Sequence, residues 1–197
     1  MIRQHAAPNR VAEKFLTPKE VDRLLTALRK KGEKHFILGL LLATTGLRIS
    51  EAQGLSWSSF MEMPDGTISV NVLRKGDEYQ LLPVREDVWA SIKAYMGLEI
   101  DQANHSALFL NPSHTRASDV SLRTWIIEGG KNAGISRHTN PHILRHSFAT
   151  SALDRGADIR DVSWFLNHKS LVTTGLYSHP TNKRVGEFIP LPKKKEG

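Results

Sequence analysis

Six polar side chains in this sequence are of types that could cleave a phosphodiester bond without a metal ion. They are two arginines, one lysine, two histidines and one tyrosine, at Arg48, Lys75, His142, Arg145, His168 and Tyr177. Guanidinium groups can hold the non-bridging phosphate oxygens and offset charge in the transition state. A phenol has a reference pKa of about 10, so it attacks only with help from a base such as histidine or from nearby cations. Lysine on a hairpin can give the expelled 5′-oxygen a proton.

Each of these residues, taken alone, also has a purely structural interpretation. Arg48 is three residues from Glu51 and could simply form a surface ion pair with it. Lys75 in a turn could be solvated, His168 could cap a helix, and Tyr177 could be a packing residue with its hydroxyl in water. The combination of the six, rather than any one of them, points to chemistry.

Other kinds of active site fit the sequence less well. Histidines at His138, His142 and His146 have a metal-like spacing, but a helix that begins at Pro141 leaves His138 outside it. Neither a cysteine nor a suitably spaced carboxylate accompanies them, so no metal is expected. The serines lack the glycines of a hydrolase nucleophile elbow, and there is no glycine-rich phosphate loop. The sequence therefore predicts no cofactor.

One predicted helix start combines a histidine and an arginine. Pro141 fits the first helical position, and Asn140 can cap the helix before it. His142 and Arg145 are then one turn apart on one face. The positive end of the helix dipole favours phosphate at this point.

The surrounding pattern predicts a mainly α-helical chain with one small antiparallel β-sheet (an α+β fold). Strands are expected over 67–73 and 79–84, with Lys75 at the tip of the hairpin between them, and 106–112 could be a short strand or a packed loop. Apolar residues at helical spacing, together with start and stop signals, predict helices over 17–32, 33–44, 47–52, 86–96, 118–133, 142–155, 158–166 and 170–177.

Composition limits the class of protein further. The 197 residues are 40% hydrophobic, which is enough for a normal core, and no apolar run reaches membrane-spanning length. The net charge of +7 favours a polyanionic partner, although ordinary solubilising charge would also produce it. The lack of cysteine fits a reducing cytoplasm without requiring one.

Five segments, in this order, match a known family. They are TGLRISE (45–51), KG (75–76) followed by LPV (82–84), PHILRHSFAT (141–150), LNHKS (166–170) and TTGLYSH (173–179). Together they resemble the catalytic domain of the tyrosine recombinases, the phage integrase family. That resemblance implies this family's DNA breaking and rejoining fold, and it spans residues 17 to 179.

The resemblance also implies a role for each polar residue. Arg48 and Arg145 would clamp the scissile phosphate, with His168 as the third member of the clamp. Glu51 would be the acidic residue that supports the site.

In the same way, the resemblance assigns the groups that react. Tyr177 would be the nucleophile, His142 the base or proton manager, and Lys75 the general acid. The product would be a 3′-phosphotyrosyl bond and a free 5′-hydroxyl, and because that bond conserves the energy of the phosphodiester, neither ATP nor a metal is required.

The implied partner is a double-stranded DNA recombination site. We expect Arg74, Arg123 and Lys169 to contact DNA, four protomers to assemble on it, and the chain to be a monomer without it. DNA-bending accessory proteins are a further possibility, and the expected location is the cytoplasm, close to the nucleoid, with no membrane partner.

The chain is divided into a linker or arm (1–15), a catalytic domain (16–182) and a C-terminal tail (183–197). Since the family generally carries a core-binding domain before the catalytic one, we expect either an excised catalytic domain or a naturally short member such as the fimbrial-switch invertases, and we favour the first. Asn167 stands where the family usually has glycine, but asparagine tolerates left-handed backbone.

Two other functions stay open at this point. A type IB topoisomerase shares the chemistry but relaxes supercoils instead of exchanging strands. A DNA-binding regulator that has lost catalysis is the rival from another class, although it would not need to keep all six polar residues.

Overall fold

The computed structural model describes residues 15–98 and 107–167. His168, Lys169, Tyr177 and the predicted helix over 170–177 therefore lie outside the described residues. The helices within the described ranges are α1 (Pro18–Lys31), α2 (Glu33–Thr45), α3 (Ile49–Gly54), α4 (Glu86–Leu98), α5 (Asp119–Asn132), α6 (Pro141–Asp154) and α7 (Ile159–Phe165). The strands are β1 (Phe60–Glu62), β2 (Ile68–Leu73) and β3 (Tyr79–Val84), and a short 3-10 helix spans Trp57–Ser59. This is the mainly helical fold with a small antiparallel sheet that the sequence predicts.

The helices begin at the caps that the sequence indicates. Thr17 and Glu20 form a reciprocal capping box at α1, in which the Thr17 amide donates to the Glu20 carboxylate over 2.8 Å. At α6 the Asn140 side-chain oxygen accepts from the Ile143 amide over 3.0 Å, with Pro141 in the first position. The Asn140 cap marks the start of α6, and His142 and Arg145 follow in the first turns of that helix.

Helix α2 forms the centre of the core. Its apolar run, FILGLLLA, is buried almost all round, and the helix packs against α1, α4 and α6. Gly39 permits a close approach to α1, because a Cβ there would lie 2.4 Å from Leu28 Cδ1. The C-terminal end of α2, with Leu41, Leu42, Thr44 and Thr45 buried, lies within this packed core, and the predicted site begins at that end.

The sheet is an antiparallel meander in the order β1-β2-β3. The register of β2 and β3 runs from the Ile68↔Val84 pair to the Leu73↔Tyr79 pair, with the predicted turn beyond it. Strand β1 was not predicted, since three residues are too few to display an alternating pattern. The predicted strand or loop over 106–112 is a packed loop from Ala107 onward, with isolated bridges to Ser56 and Arg116.

The rest of the helical elements cover the sheet and α2. Buried residues of every other α-helix in the described ranges, and of the hairpin, pack with α2 in one core. None of these helices is both long and apolar enough to cross a lipid bilayer. The described part of the chain thus has one apolar core, and the predicted site lies where α2, α3, α6, α7 and the hairpin meet.

Candidate active site

A left-handed glycine turn at the end of α2 shapes the site. Gly46 has φ 61° and ψ 21°, and its amide donates to the Leu42 carbonyl over 3.1 Å. A Cβ at this position would lie 2.6 Å from Leu166 Cδ2 and 2.7 Å from Phe148 Cδ1. Glycine therefore meets two needs at once, since it allows the positive φ and lets α6 and the end of α7 pack against the turn.

Arg48 and Glu51 are joined at the start of α3. The Glu51 carboxylate accepts from the Arg48 amide over 2.7 Å and from Arg48 Nη1 over 2.9 Å. Its other partner is Arg74, whose Nη1 donates to Glu51 Oε2 over 2.6 Å. Glu51 is only 8% exposed, so it is a buried acceptor shared by two arginines.

Arg145 is held on α6 by backbone carbonyls. Its Nη1 donates to the Gly46 carbonyl over 2.6 Å, and its Nη2 donates to the Leu166 carbonyl. The residue is 8% exposed. Arg145 thus binds the end of α2 and the end of α7 together, and both of these hydrogen-bond partners are neutral.

The site carries an excess of positive charge. Burial, the charge of Arg48 and that of Arg74 lower the pKa of Arg145 to about 10, and Glu51 opposes this shift. Burial alone would raise the pKa of Glu51, but the charge of Arg74 and the hydrogen bonds from Arg48 and Arg74 hold it below its usual value. Three guanidinium groups therefore interact with one carboxylate, an arrangement that favours an incoming anion.

The predicted general acid and base lie at exposed positions beside this cluster. Lys75 is exposed in the turn between β2 and β3, as predicted, where Gly76 (φ 96°) and Asp77 (φ 58°) have left-handed backbone. His142 is exposed in the first turn of α6, one turn before Arg145. The structure thus brings together Arg48, Glu51 and Arg145 and sets the strand before Lys75 against them through Arg74.

The other histidines do not form a metal site in the described ranges. His138 and His146 are both exposed, and no group of three His, Cys, Asp or Glu residues there could hold a metal ion. Asn167 has φ 49°, which confirms that asparagine supports the left-handed turn at this position.

Two of the predicted DNA-contacting residues lie within the described ranges. Arg74 is 3% exposed, and its guanidinium donates to Glu51, Gln80 and the Phe165 carbonyl. This burial does not favour a DNA contact, because each guanidinium nitrogen donates inside the protein, and the contact stays a prediction. Arg123 is partly exposed on α5, and its contact with DNA stays a prediction.

The inward orientation of Arg74 had a signal in the sequence that was missed. Val70 and Val72 on β2 and Arg74, the residue directly after that strand, are spaced by two and are all buried, whereas Leu73 is exposed. Side chains at i, i+2 and i+4 lie on the same face of a strand, so extending the valine pattern by one step places Arg74 inside.

Comparison with known proteins identifies the family. The model of the phage integrase family matches residues 14–184, which is most of the chain. The chain belongs to the phage integrase family. The matched region includes the TTGLYSH segment with Tyr177, which lies outside the described residues.

Individual family members are similar over long stretches. The tyrosine recombinase XerA of Pyrococcus furiosus is 35% identical over 179 residues, covering 89% of this chain and 60% of that protein. XerC of Staphylococcus epidermidis is 31% identical over 203 residues, covering 98% of this chain and 67% of XerC. A crystal structure of XerA recombinase superposes with a TM-score of 0.71 at 25% identity, covering 95% of this chain and 63% of that one. The chain therefore spans about 60% of the length of the XerA it matches.

Proposed function

We propose that this chain is the catalytic part of a site-specific DNA recombinase. The observation that carries the proposal is the cluster of Arg48, Arg74 and Arg145 with a single carboxylate, that of Glu51, which bonds to Arg48 and Arg74 and leaves Arg145 with neutral carbonyl partners. A bound phosphodiester would add a negative charge where three guanidinium groups face only one carboxylate. The net charge of +7 and the membership in a family whose relatives are tyrosine recombinases both support DNA as the source of that phosphate.

In the proposed reaction the arginines bind the scissile phosphate. Arg48 and Arg145 donate to its non-bridging oxygens, and His168 completes the clamp. Because these donors carry charge before the substrate arrives, they stabilise the additional charge of the transition state without reorganisation. Glu51 holds Arg48 in place while Arg145 is held by carbonyls.

Strand cleavage is then an in-line displacement. The Tyr177 oxygen bonds to phosphorus and loses its proton with the help of His142, while the bond from phosphorus to the 5′-oxygen breaks. Lys75 gives that oxygen a proton, so the products are a 3′-phosphotyrosyl bond and a 5′-hydroxyl. Attack by a 5′-hydroxyl from another strand reverses the step and completes the exchange.

The working assembly we propose is four protomers on paired DNA sites in the cytoplasm, formed from a protein that is monomeric without DNA. Arg123 and Lys169 would add contacts to the DNA backbone. Such contacts release counterions, so binding should weaken steeply as salt rises.

A nicked duplex tests the nucleophile. Its sequence is first selected by covalent capture from a random-sequence pool, and the nick lies just beyond the cleavage point so that the short product diffuses away. The chain should give a DNA-linked band on a denaturing gel, and Tyr177→Phe should give none, because the ring stays and only the attacking oxygen is lost. An undiminished band from Tyr177→Phe would contradict the assignment.

Supercoiled plasmid separates the proposal from its rivals. Efficient relaxation of plasmids without any selected site would favour a topoisomerase. If covalent capture from the pool yields no product, and a duplex selected instead by non-covalent binding is bound but not cleaved, an inactive regulator is favoured. We expect neither, and strand exchange between two duplexes that carry the selected site is the outcome that the proposal requires.

A further inference from the structure

Adjacent residues at the β2–β3 hairpin have opposite environments. Lys75, in the turn, is exposed, while Arg74, immediately before it, is 3% exposed. The turn is closed by the Arg74 amide, which donates to the Glu78 carbonyl over 2.8 Å. The backbone of Arg74 therefore belongs to the hairpin, while its side chain belongs to the interior of the site.

The guanidinium of Arg74 joins three parts of the protein. It donates to Gln80 on β3 over 2.9 Å, to Glu51 on α3 over 2.6 Å and to the Phe165 carbonyl at the end of α7 over 2.9 Å. Each donor group has its own partner, so the planar fork fixes the orientation of the strand end as well as its distance.

Gln80 strengthens the same connection from the other strand. Its Oε1 accepts from Arg74, and its Nε2 donates to the Trp164 carbonyl over 3.0 Å. The carbonyls in the last turn of a helix lack the usual partner one turn later. Here Arg74 donates to the Phe165 carbonyl, and Gln80 donates to the Trp164 carbonyl, which also accepts from the Asn167 amide over 2.9 Å. Both strands of the hairpin are thus tied to the end of α7.

We propose that Arg74 is a positioning residue for the reaction, which holds the hairpin so that the Lys75 ammonium reaches the 5′-oxygen. This inference rests on the proposed function, in which Lys75 is the general acid. Arg74 itself touches no substrate. Its effect passes through one peptide bond to Lys75, and a displacement of the lysine by about 1 Å could cost about 100-fold in rate.

The chemistry of the leaving group provides a selective test. In ordinary cleavage the electron pair of the broken bond goes to the 5′-oxygen, which takes a proton from Lys75. When sulfur replaces that bridging oxygen, the leaving group is a thiolate, and a thiol with a pKa near 8.5 needs no proton donor. A defect confined to the general acid therefore disappears with the sulfur substrate, whereas a defect in phosphate binding persists.

The experiment measures single-turnover cleavage of the selected nicked duplex with either oxygen or sulfur at the bridging position. Arg74→Lys keeps the buried positive charge but cannot donate to Glu51, Gln80 and the Phe165 carbonyl together. Gln80→Met removes the hydrogen bonds of Gln80 to Arg74 and to the Trp164 carbonyl without changing charge. Lys75→Ala defines full loss of the acid. Arg116→Lys is the matched control, since Arg116 donates to the Gln53 and Leu55 carbonyls at the far end of α3.

On the oxygen substrate Arg74→Lys should be slower by about 100-fold and Gln80→Met by a smaller factor. On the sulfur substrate both should return to the wild-type rate, as should Lys75→Ala. Any loss in Arg116→Lys should be the same on both substrates, because that variant alters α3 rather than the hairpin. Thermal unfolding of each variant establishes that the comparison is between folded proteins.

Three outcomes would overturn the inference, and they point to different errors. If Lys75→Ala is rescued but Arg74→Lys and Gln80→Met are equally slow on both substrates, these residues act through the phosphate clamp or through stability. Wild-type rates for both variants on the oxygen substrate would show that the hydrogen bonds of Arg74 and Gln80 are not needed to position Lys75. Failure of sulfur to rescue Lys75→Ala would remove the acid assignment from the proposed function, and the inference with it.

Discussion

Arg145 on α6 and Arg48 at the start of α3 are held in the site in different ways. Arg145 is buried and donates to the carbonyls of Gly46 and Leu166, both neutral. The Arg48 side chain is 38% exposed and pairs with the carboxylate of Glu51. One arginine is fixed by dipoles and the other by an opposite charge.

This difference indicates how the two arginines share the binding of a phosphate. Carbonyl dipoles orient a guanidinium without cancelling its charge, so Arg145 keeps a full positive charge in a poorly solvated place, and its pKa falls to about 10. Arg48 is already offset by Glu51. We therefore expect the clamp to depend more on Arg145, and each variant below tests one side of this contrast.

The largest effect is expected for Arg145→Lys. An ammonium on a flexible stem cannot donate to Gly46, to Leu166 and to a phosphate in the geometry of a planar fork. Cleavage of the selected duplex should fall by about 1000-fold, and the free energy of unfolding by about 2 kcal/mol because a buried carbonyl loses its donor. Single-turnover cleavage and urea unfolding measure the two effects.

Arg48→Lys is the matched variant for that measurement. It keeps a positive charge next to Glu51 at a partly exposed position, so it should retain more activity than Arg145→Lys and almost the full stability. Equal losses in the two variants would show that the mode of anchoring does not decide the contribution to the clamp.

The next largest effect is expected for Glu51→Gln, and it is mainly an effect on stability. The substitution leaves the buried Arg74 without a carboxylate, which we expect to cost about 3 kcal/mol. Because the folded pKa of Glu51 is below its usual 4.5, its contribution is fully present above that value and is lost as pH falls through the folded pKa. Urea unfolding from pH 7 to pH 3 should therefore show a gap between wild type and variant that narrows only below about pH 4.5.

Glu20→Gln is the control for that pH series. Glu20 also has a lowered pKa, but it lies in the capping box of α1 rather than in the arginine site. Glu20→Gln should lower the free energy of unfolding by less than Glu51→Gln does, and it should leave the rate of cleavage unchanged. A pH-independent gap between wild type and Glu51→Gln would contradict the shifted pKa.

The smallest effect is expected for Asn140→Ala at the cap of α6. Losing the 3.0 Å hydrogen bond to the Ile143 amide should cost about 1 kcal/mol, and Asn140→Gly only a few tenths. Cleavage should be nearly unaffected in both, because Arg145 is held by Gly46 and Leu166 rather than by the helix start. A large loss of activity in Asn140→Ala would shift the positioning role from those carbonyls to the cap.

The local features of the fold were predictable because they depend on neighbouring residues. Thr17 and Glu20 mark the start of α1, and Asn140 with Pro141 marks that of α6. The left-handed backbone at Asn167 followed from the chemistry of one side chain. Strand β1 was missed for the opposite reason, since its three residues are extended only because they pair with β2.

The amino-acid sequence by itself determined the fold class, the helix caps and the order of the family segments, because periodicity, capping and residue chemistry act over a few positions. The groups proposed to react were also chosen from the sequence, and their roles stay predictions. The Arg48–Glu51 pair follows from a spacing of three residues, but only the tertiary structure decided which groups meet across long stretches of chain. Glu51 is 23 residues from Arg74 along the chain, and Gly46 is 99 from Arg145. No local pattern encodes which buried donor meets which acceptor at such separations, because packing the helices around α2 creates those contacts. Arg74, which the sequence analysis expected to contact DNA, is buried in the folded protein, and its guanidinium donates to Glu51 and to the Phe165 carbonyl.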